Sequence, residues 1–463
     1  MKNHLKNNDL KIEIHRPPAS MNPVAGRKII SQTAEAFAMF RAIASMDPDK
    51  KINNNDVFAE KFVPLVEKCN LYLKAQIVRK DFAQLKRIIK INHASPYFYA
   101  NARAKHGDAI LTDALKNGTT QVIILGAGYA SHAYRFHGAA PDVKFFEVDL
   151  PEIQVDKIKK VNEIFGKLPD WVTYCPIDFQ TQTLEIELKK AGYDESKKSH
   201  FIWEGVTYFI GAAAVGSTLQ FIADHSAPGS SVVFDYLLRP VIEGDFRYYG
   251  ASMAVGWVTI MGEPYIFGIH DGEVESFINQ KGLSLISDLG PPELTQKYLI
   301  RSNGKEDGRM MGHFRIAYAK VPDKTVRDEL MKITYKEVNP EPAPETHTVM
   351  VPADVQSFFD QFNKDFLAHD HGKIMTNYSD KFLDDGATKG IMSYLWMIVI
   401  QYPFVKAATS RKIILTNLRI DGNIAHFSGF AKSNTCYDLE EGTIIKENGK
   451  WKLYGNQKTA DED

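Results

Sequence analysis

The stretch QVIILGAGYASHAYR at 121–135, followed by the apolar run VKFFEVDL, decides the fold of this chain. The first run leads directly into Gly126 and Gly128, so a strand ends in a sharp turn whose backbone can approach a ligand closely. The second run ends on Glu147 and Asp149, roughly twenty residues further on. A carboxylate at that strand end can accept both hydroxyls of a ribose. The two runs together predict a nucleoside-binding βαβ unit.

The glycine spacing also separates two kinds of nucleotide site. A dinucleotide-binding turn has the pattern G-x-G-x-x-G, in which the third glycine opens a helix that faces a pyrophosphate. Here that third position is Ser131. The pattern therefore favours an adenosyl ligand without a pyrophosphate.

The sequence around this unit alternates short apolar runs with helical stretches. HFIWEG at 200–205 and SSVVFDYL at 230–237 are further strand candidates, and HFRIAYAKV at 313–321 is typical of a closing strand. Such alternation predicts a doubly wound α/β fold with a mostly parallel sheet, preceded here by N-terminal helices. An aromatic and glycine-rich insert at 245–268 is long enough to cover a substrate.

A second domain is expected after a linker rich in proline and glutamate. We divide the chain into residues 1–335, a linker at 336–349, and a smaller α+β domain at 350–463. This last part begins with helical periodicity and continues with four segments that alternate as antiparallel strands, separated by Gly422-Asn423 and Asn448-Gly449 turns.

The composition excludes several classes of protein. The 463 residues carry 56 basic and 57 acidic side chains, so no basic excess suggests a nucleic acid as partner, and the lysines at 157–160 are interpreted as a solvated helix face. The 3 cysteines lie far apart and outside any C-x-x-C spacing, which argues against disulfides and against a metal site. No apolar run is long enough to span a membrane, so we expect a cytoplasmic protein without a membrane partner.

Five motifs that follow one another along the chain resemble those of a known protein family. They are Arg103–Asp108, the glycine turn at 121–135, FFEVDLPEIQVDK at 145–157, Ile177-Asp178-Phe179 and WEGVT at 203–207. From about residue 30 to 321 the chain resembles the leucine carboxyl methyltransferase family, including its bacterial members of unassigned substrate. The resemblance implies a class I, Rossmann-like methyltransferase fold and S-adenosyl-L-methionine as cofactor.

The resemblance also implies roles for individual residues. Arg103 would pair with the methionine carboxylate of the cofactor, and Arg41 on the N-terminal helix would reach the same group. Gly126 and Gly128 would let the backbone pass the methionine and the sugar, while Asp149 would accept the ribose hydroxyls.

Three further residues complete the cofactor site by resemblance. Asp178 would bind the adenine amino group, with the Phe179 amide beside it. Glu204 would accept a hydrogen bond from the cofactor's ammonium or flank its sulfonium. The family's Arg-Thr pair is Arg103-Ala104 in this chain, and the tyrosine that follows the Glu-Gly stretch is displaced to Tyr208, so we do not transfer the acceptor.

The acceptor is expected to be a small molecule that is methylated on oxygen. The many aromatic residues of the insert indicate that this molecule is partly apolar. A carboxylate acceptor needs no base, whereas a hydroxyl needs one, and His270 is the first candidate ahead of His132, His137 and His313. Methylation of a protein or peptide carboxylate is an alternative. A binding protein that senses the cofactor without turnover is another.

Residues 350–458 resemble the SnoaL-like or ketosteroid-isomerase-like cone, in which helices lean on a curved sheet. Because this fold hosts many activities, it does not reveal a function by itself. We expect a role in holding substrate or in forming a homodimer. An acid/base site is the alternative, and its candidates are Asp370, His371, Tyr378, Asp384 and Asp385.

Overall fold

The structure is a computed structural model of the whole chain. It describes residues 32–62, 79, 81–92, 94–177, 182–330, 332, 349–384 and 386–458. No helix in these ranges combines the length and the apolar character that crossing a bilayer requires.

A seven-stranded sheet forms the centre of the larger domain, in the order β3-β2-β1-β4-β5-β8-β7. Its strands are β1 Gln121–Leu125, β2 Lys144–Asp149, β3 Val172–Pro176, β4 Ser199–Trp203, β5 Ser231–Leu237, β7 Ser284–Leu289 and β8 Phe314–Lys320. Strands β1 to β5 pair in parallel, and β8 runs antiparallel to both of its neighbours. The predicted, mostly parallel sheet is therefore confirmed. The strand order reverses at β1, so a crevice opens between the ends of β1 and β4.

Helices cover both faces of this sheet. They are α1 Gln32–Ala44, α2 Ala59–Phe62, α3 Phe82–Asn92, α4 Ala94–Lys116, α5 His132–Phe136, α6 Pro151–Phe165, α7 Leu184–Lys190, α8 Ala212–Asp224, α9 Ala251–Ile260, α10 Val274–Asn279, α11 Pro291–Tyr298 and α12 Lys324–Leu330. One buried cluster packs α1, α4 and α6 on one face, and a second packs α7, α8 and α10 on the other. Burial on both faces explains the uninterrupted apolar runs at 122–125 in β1 and at 201–203 in β4.

The smaller domain has the predicted α+β composition. Its helices are α13 Ala353–Leu367, α14 His371–Thr376, α15 Lys389–Val399 and α16 Pro403–Lys406. Its strands are β9 Leu383–Asp384, β10 Ala387–Thr388, β11 Arg411–Asp421, β12 Ile424–Ser433, β13 Tyr437–Glu447 and β14 Lys450–Leu453. The four long strands pair antiparallel, and Gly422 and Gly449 adopt φ angles of 64° and 78° in the turns between them.

The insert at 245–268 joins the two domains. A short strand within it, β6 Asp245–Phe246, pairs in parallel with β13 and extends the sheet of the smaller domain. Phe246 contacts Phe404 with ring centroids 5.1 Å apart, and Gly256 on α9 lies so close to Tyr402 that a Cβ there would collide with the ring. The insert was expected to cover a substrate, and the structure shows that its first part binds the second domain. The predicted linker lies almost entirely outside the described residues.

Candidate active site

The glycine turn lies at the end of β1, as the sequence predicts. Gly126 and Gly128 have φ angles of 66° and 38°, a region that side chains with a Cβ rarely adopt. The Gly128 amide donates a hydrogen bond of 2.5 Å to Asp149 Oδ2, and the Leu150 amide donates one of 2.7 Å to Oδ1. Each carboxylate oxygen keeps a second lone pair, so Asp149 can still accept from a ligand hydroxyl.

Helix α1 packs over this turn. Ala34 lies within van der Waals range of the position that a Cβ on Gly128 would occupy. Arg41 donates from Nη2 to the Tyr129 carbonyl at 2.7 Å and from Nε to Asp56 at 3.0 Å. The structure thus places Arg41 at the turn, where its described partners are protein groups. Its contact with the cofactor carboxylate stays a prediction.

A substitution in the turn has a calculable effect. Gly126→Ala is expected to lower the free energy of unfolding by about 1–3 kcal/mol, because alanine would be held in a left-handed conformation. The new methyl group would also collide with the Val206 side chain. Urea denaturation measures the change. Gly138→Ala is the matched control, since a Cβ there meets no atom within 4 Å, and it should stay within about 0.5 kcal/mol of the wild type.

The lysine run at 157–160 corrects a prediction made from charge alone. Lys157 is 2% exposed and not solvated. Its ammonium binds Glu147 at 2.9 Å and donates to the Ala130 carbonyl at 2.9 Å. The i,i+4 neighbours within the helix cannot reveal this contact, because Glu147 lies on the preceding strand, β2. Glu147 is therefore paired with Lys157 in the core, and Asp149 is the acid at the end of β2 that can bind a ligand.

Arg103 occupies the centre of the site. It extends from α4, is 6% exposed, and donates from Nη1 to Asp235 at 2.7 Å. Asp235 is completely buried and also accepts from the Tyr99 hydroxyl and the Gly205 amide, each at 2.7 Å. Arg103 Nε has no hydrogen-bond partner among the described residues. One donor of the guanidinium therefore stays available.

Glu204 faces that available donor from the end of β4. Its Oε2 lies 3.7 Å from Arg103 Nε, and its buried Oε1 has no hydrogen-bond partner in the described part of the chain. Burial raises the pKa of Glu204 to about 7, although Arg103 opposes that shift. Gly107 makes room for the carboxylate, since a Cβ at that position would collide with Oε1. This contact explains the glycine in the Arg103–Asp108 motif.

Two predicted residues, Asp178 and Phe179, lie outside the described residues. Their assignment to the adenine ring stays a prediction. The strand before them is confirmed, because β3 ends at Pro176 and the Ile177 amide donates to the Asp149 carbonyl at 2.8 Å. Ile177, the last described residue before Asp178, therefore lies at the same edge of the sheet as the glycine turn.

The histidines separate clearly by environment. His132 and His313 are buried, and desolvation lowers the pKa of His132 well below its ordinary value and that of His313 to about 3. His137 stacks on Trp171 with ring centroids 3.8 Å apart. His270 is half-buried and follows Ile269, whose amide donates to the Leu237 carbonyl at the end of β5. Of the four, only His270 combines access to solvent with a place at the site edge of the sheet.

The end of the insert returns to the site. The Ile266 amide donates to the Tyr208 carbonyl at 2.8 Å, and Tyr265 packs edge-on against Tyr208 with centroids 5.3 Å apart. Glu263 accepts a hydrogen bond from Thr33, next to the residue of α1 that covers Gly128. The second part of the insert therefore lies over the site, while its first part binds the other domain.

Sequence reasoning missed Asp235 as a site residue. A signal was present, because an acid within the apolar run SSVVFDYL, near the carboxyl end of a buried strand, must have a partner or a function. In the described ranges, no group of three or more His, Cys, Asp or Glu side chains could hold a metal ion.

Known proteins resemble the part of the chain that contains the site. Residues 34–223 match the family model of leucine carboxyl methyltransferase. Over these residues the chain is similar to the leucine carboxyl methyltransferase family. A protein of Bacillus subtilis named "Putative S-adenosyl-L-methionine-dependent methyltransferase YktD" is 28% identical over 207 residues, which are 44% of this chain and 67% of that protein. A protein of Mycobacterium ulcerans with the same general name is 27% identical over 233 residues, 48% of this chain and 75% of its own length.

Among solved structures, a DUF574 family protein from Streptomyces avermitilis has a TM-score of 0.39 at 13% identity and covers 52% of this chain and 91% of that one. The matched family region contains Arg41, Arg103, the glycine turn, Asp149 and Glu204. Asp235, the insert at 245–268 and the second domain lie outside it. The family and its relatives therefore support S-adenosylmethionine-dependent methyl transfer as the general activity, and they leave the acceptor open.

Proposed function

We propose that this protein transfers a methyl group from S-adenosylmethionine to an oxygen, carboxylate or hydroxyl, of a small and partly apolar acceptor. The observation that carries the proposal is the pair of buried atoms Arg103 Nε and Glu204 Oε1, which lack hydrogen-bond partners among the described residues. A buried polar group without a partner costs about 1–3 kcal/mol, and more if it is charged.

The amino-acid end of the cofactor would satisfy both atoms at once. Its carboxylate can accept a hydrogen bond from Arg103, and its ammonium can donate one to Glu204. Arg103 Nε lies 3.7 Å from Glu204 Oε2, a separation similar to that between the ammonium and the carboxylate of one amino acid. Asp149 is then the acceptor for the ribose hydroxyls, and the two positive-φ glycines keep Cβ atoms out of the path of the ligand.

When bound, the sulfonium supplies an electrophilic methyl group. The task of the chain is then to align the acceptor, exclude water and, for a hydroxyl, remove a proton. Tyr208, Phe209 and Tyr265 form an aromatic wall beside Arg103, with Tyr208 and Phe209 centroids 4.8 Å apart and Phe209 and Tyr265 centroids 5.5 Å apart. Such a wall supports an acceptor with an apolar part.

Calorimetric titration of the full chain with S-adenosylmethionine tests the cofactor. We expect saturable binding below 1 mM, on the order of the affinities common for enzyme ligands. Absence of binding at that concentration would refute the proposal.

Incubation with methyl-labelled cofactor and a metabolite extract then tests turnover. Label in a base-stable small molecule supports a hydroxyl acceptor, and label in a base-labile small molecule supports a carboxylate acceptor. Label in peptides supports the alternative of a protein or peptide carboxylate. Binding without transfer of label supports a cofactor sensor.

The affinity for the cofactor is expected to depend on pH through Glu204. Because its pKa is about 7, this carboxyl is increasingly protonated below pH 7 and loses the negative charge that attracts the ammonium. Affinity should fall by up to about tenfold per pH unit below 7 and level off above it. Titrations between pH 5.5 and 7.5 measure the slope. Glu204→Gln should bind weakly throughout and lose the slope, and an unchanged slope in that variant would assign it to another group.

His270→Ala tests the proposed base. If the acceptor is a hydroxyl, turnover should fall by about 100-fold or more while cofactor affinity stays unchanged, since a general base contributes about 10²–10⁴ to the rate. The variant His225→Ala is the matched control, because His225 lies near exposed Glu185 and Glu195 at the end of α8. Unchanged turnover in His270→Ala would exclude it as a base and would favour a carboxylate acceptor.

A homodimer through the second domain also stays a proposal. Sedimentation velocity of the full chain would test it at micromolar concentration.

A further inference from the structure

The start of the insert is anchored on the sheet of the smaller domain. Strand β6 pairs with β13, and the buried ring of Phe246 packs on Phe404. The Arg247 guanidinium lies over the rings of Phe430 and Tyr437, at 5.6 and 5.2 Å from their centroids. Aromatic packing and cation–π attraction both favour this arrangement. The first residues of the insert therefore cannot move without breaking contacts to the smaller domain.

Helix α9, the middle of the insert, lies between the two domains. On one side Ala254 packs into the core of the larger domain. On the other side Gly256 faces Tyr402 so closely that a Cβ on the glycine would overlap the ring. Tyr402 is buried in a cluster that contains Phe366 and Val405 of the smaller domain. Because such a close-packed ring leaves little free space, Tyr402 limits how far α9 can shift.

The carboxyl end of α9 leads directly into the segment that lies over the site, residues 261–266, which we call the cover. The Glu263 amide donates to the Val258 carbonyl at 2.8 Å, and this bond ties the cover to the last turns of α9. The Glu263 side chain accepts a hydrogen bond from Thr33 on α1. Tyr265 belongs to the aromatic wall of the site. A shift of α9 would therefore displace the cover.

We propose that Tyr402 is a positioning residue of the methyl-transfer site, through which the smaller domain holds the cover over the bound cofactor and acceptor. The proposal rests on the proposed function, because the cover acts on the ligands of that site. With the ring in place, α9 stays packed and the cover keeps the site closed. Without the ring, α9 gains free space, the cover opens more often, and the cofactor dissociates faster.

Hydrogen exchange of the full chain without cofactor tests the contact. Tyr402→Ala should accelerate exchange of peptides that contain the Glu263 and Ile266 amides by at least about tenfold, because it creates a cavity behind α9. Tyr402→Phe keeps the ring and should exchange like the wild type. Tyr394→Ala is the matched control, since Tyr394 is 60% exposed on α15 of the same domain. Peptides from β12 report whether the smaller domain stays folded in each variant.

A substitution on α9 makes the test independent of a cavity in the smaller domain. Gly256→Ala should also accelerate exchange of the cover, because the new methyl group overlaps the Tyr402 ring. Alanine is otherwise the better residue within a helix, so this acceleration is assigned to the collision. The double variant Gly256→Ala with Tyr402→Ala should exchange no faster than Tyr402→Ala alone. Gly390→Ala on α15 is the matched control, since a Cβ there lies 3.7 Å from Thr388 Oγ1, an ordinary contact.

The dissociation rate of S-adenosylmethionine connects the contact to the site. Tyr402→Ala and Gly256→Ala should raise this rate by at least about fivefold, while Tyr402→Phe and Tyr394→Ala stay within about twofold of the wild type. Rapid filtration with labelled cofactor measures it. Exchange of the cover that is unchanged in both Tyr402→Ala and Gly256→Ala would overturn the proposal, as would faster exchange with an unchanged dissociation rate. Failure of the wild type to bind S-adenosylmethionine would instead refute the proposed function, and the exchange rates alone would then decide whether Tyr402 holds the cover.

Discussion

Arg103→Met is expected to lower the affinity for S-adenosylmethionine by at least about 100-fold, because hydrogen bonds to charged groups contribute about 1.5–3 kcal/mol each. The same change should lower the free energy of unfolding by about 3–5 kcal/mol, since Asp235 would be left buried without its cation. Calorimetric titration and urea denaturation measure the two effects. Arg239→Met is the matched control, because Arg239 is largely exposed and its pair with Glu243 is solvated.

A double variant separates the two roles of Arg103. Arg103→Met with Asp235→Leu removes both charges, and replacing a buried pair by apolar groups is often close to neutral in stability. We therefore expect the double variant to regain much of the stability and none of the affinity. Recovery of cofactor affinity in the double variant would show that Arg103 acts on the fold alone and does not bind the ligand.

Lys157→Met is expected to destabilise the fold by about 3–5 kcal/mol, because it removes one partner of a buried ion pair. Both members of its pair are almost completely buried, with side chains 2% and 0% exposed for Lys157 and Glu147. Removal of the ammonium leaves the Glu147 carboxylate without its cation in the core, and it leaves the Ala127 and Ala130 carbonyls, within and just after the glycine turn, without this donor. Thermal and urea unfolding measure the loss.

The neighbouring lysine provides the comparison for this variant. Lys159 lies on the exposed face of the same helix, and Lys159→Met should change stability by less than about 0.5 kcal/mol. The combination of Lys157→Met with Glu147→Leu should recover most of the loss. Equal effects of Lys157→Met and Lys159→Met would contradict the buried ion pair.

Local sequence predicted the sheet well because each strand carries its own evidence. The run at 122–125 before Gly126 is wholly apolar, and the run at 145–148 before Asp149 is apolar except for Glu147. Burial on both faces of a parallel sheet favours such runs. Strand β7 escaped prediction, since its residues are only half-buried and lie near the edge of the sheet, where the apolar requirement is weaker.

Charge patterns along the chain were less informative than hydrophobic patterns. Lys157 stands in a run that is typical of a solvated helix, yet its partner comes from a strand ten residues earlier. Asp235 meets Arg103 from a position 132 residues away in the sequence. Ion pairs of this kind depend on which strand lies beside which helix, and no local periodicity encodes that arrangement.

The sequence by itself determined the α/β architecture, the glycine turn and the acid that follows it, because strand burial and positive φ angles restrict the residue types at those positions. It also carries the similarity to the leucine carboxyl methyltransferase family, through motifs that remain in order along the chain. Only the tertiary structure decided that Arg103 and Glu204 meet with unused hydrogen-bonding atoms and that the insert divides between the site and the second domain. Those properties arise from contacts between segments distant in sequence, where packing selects the partner.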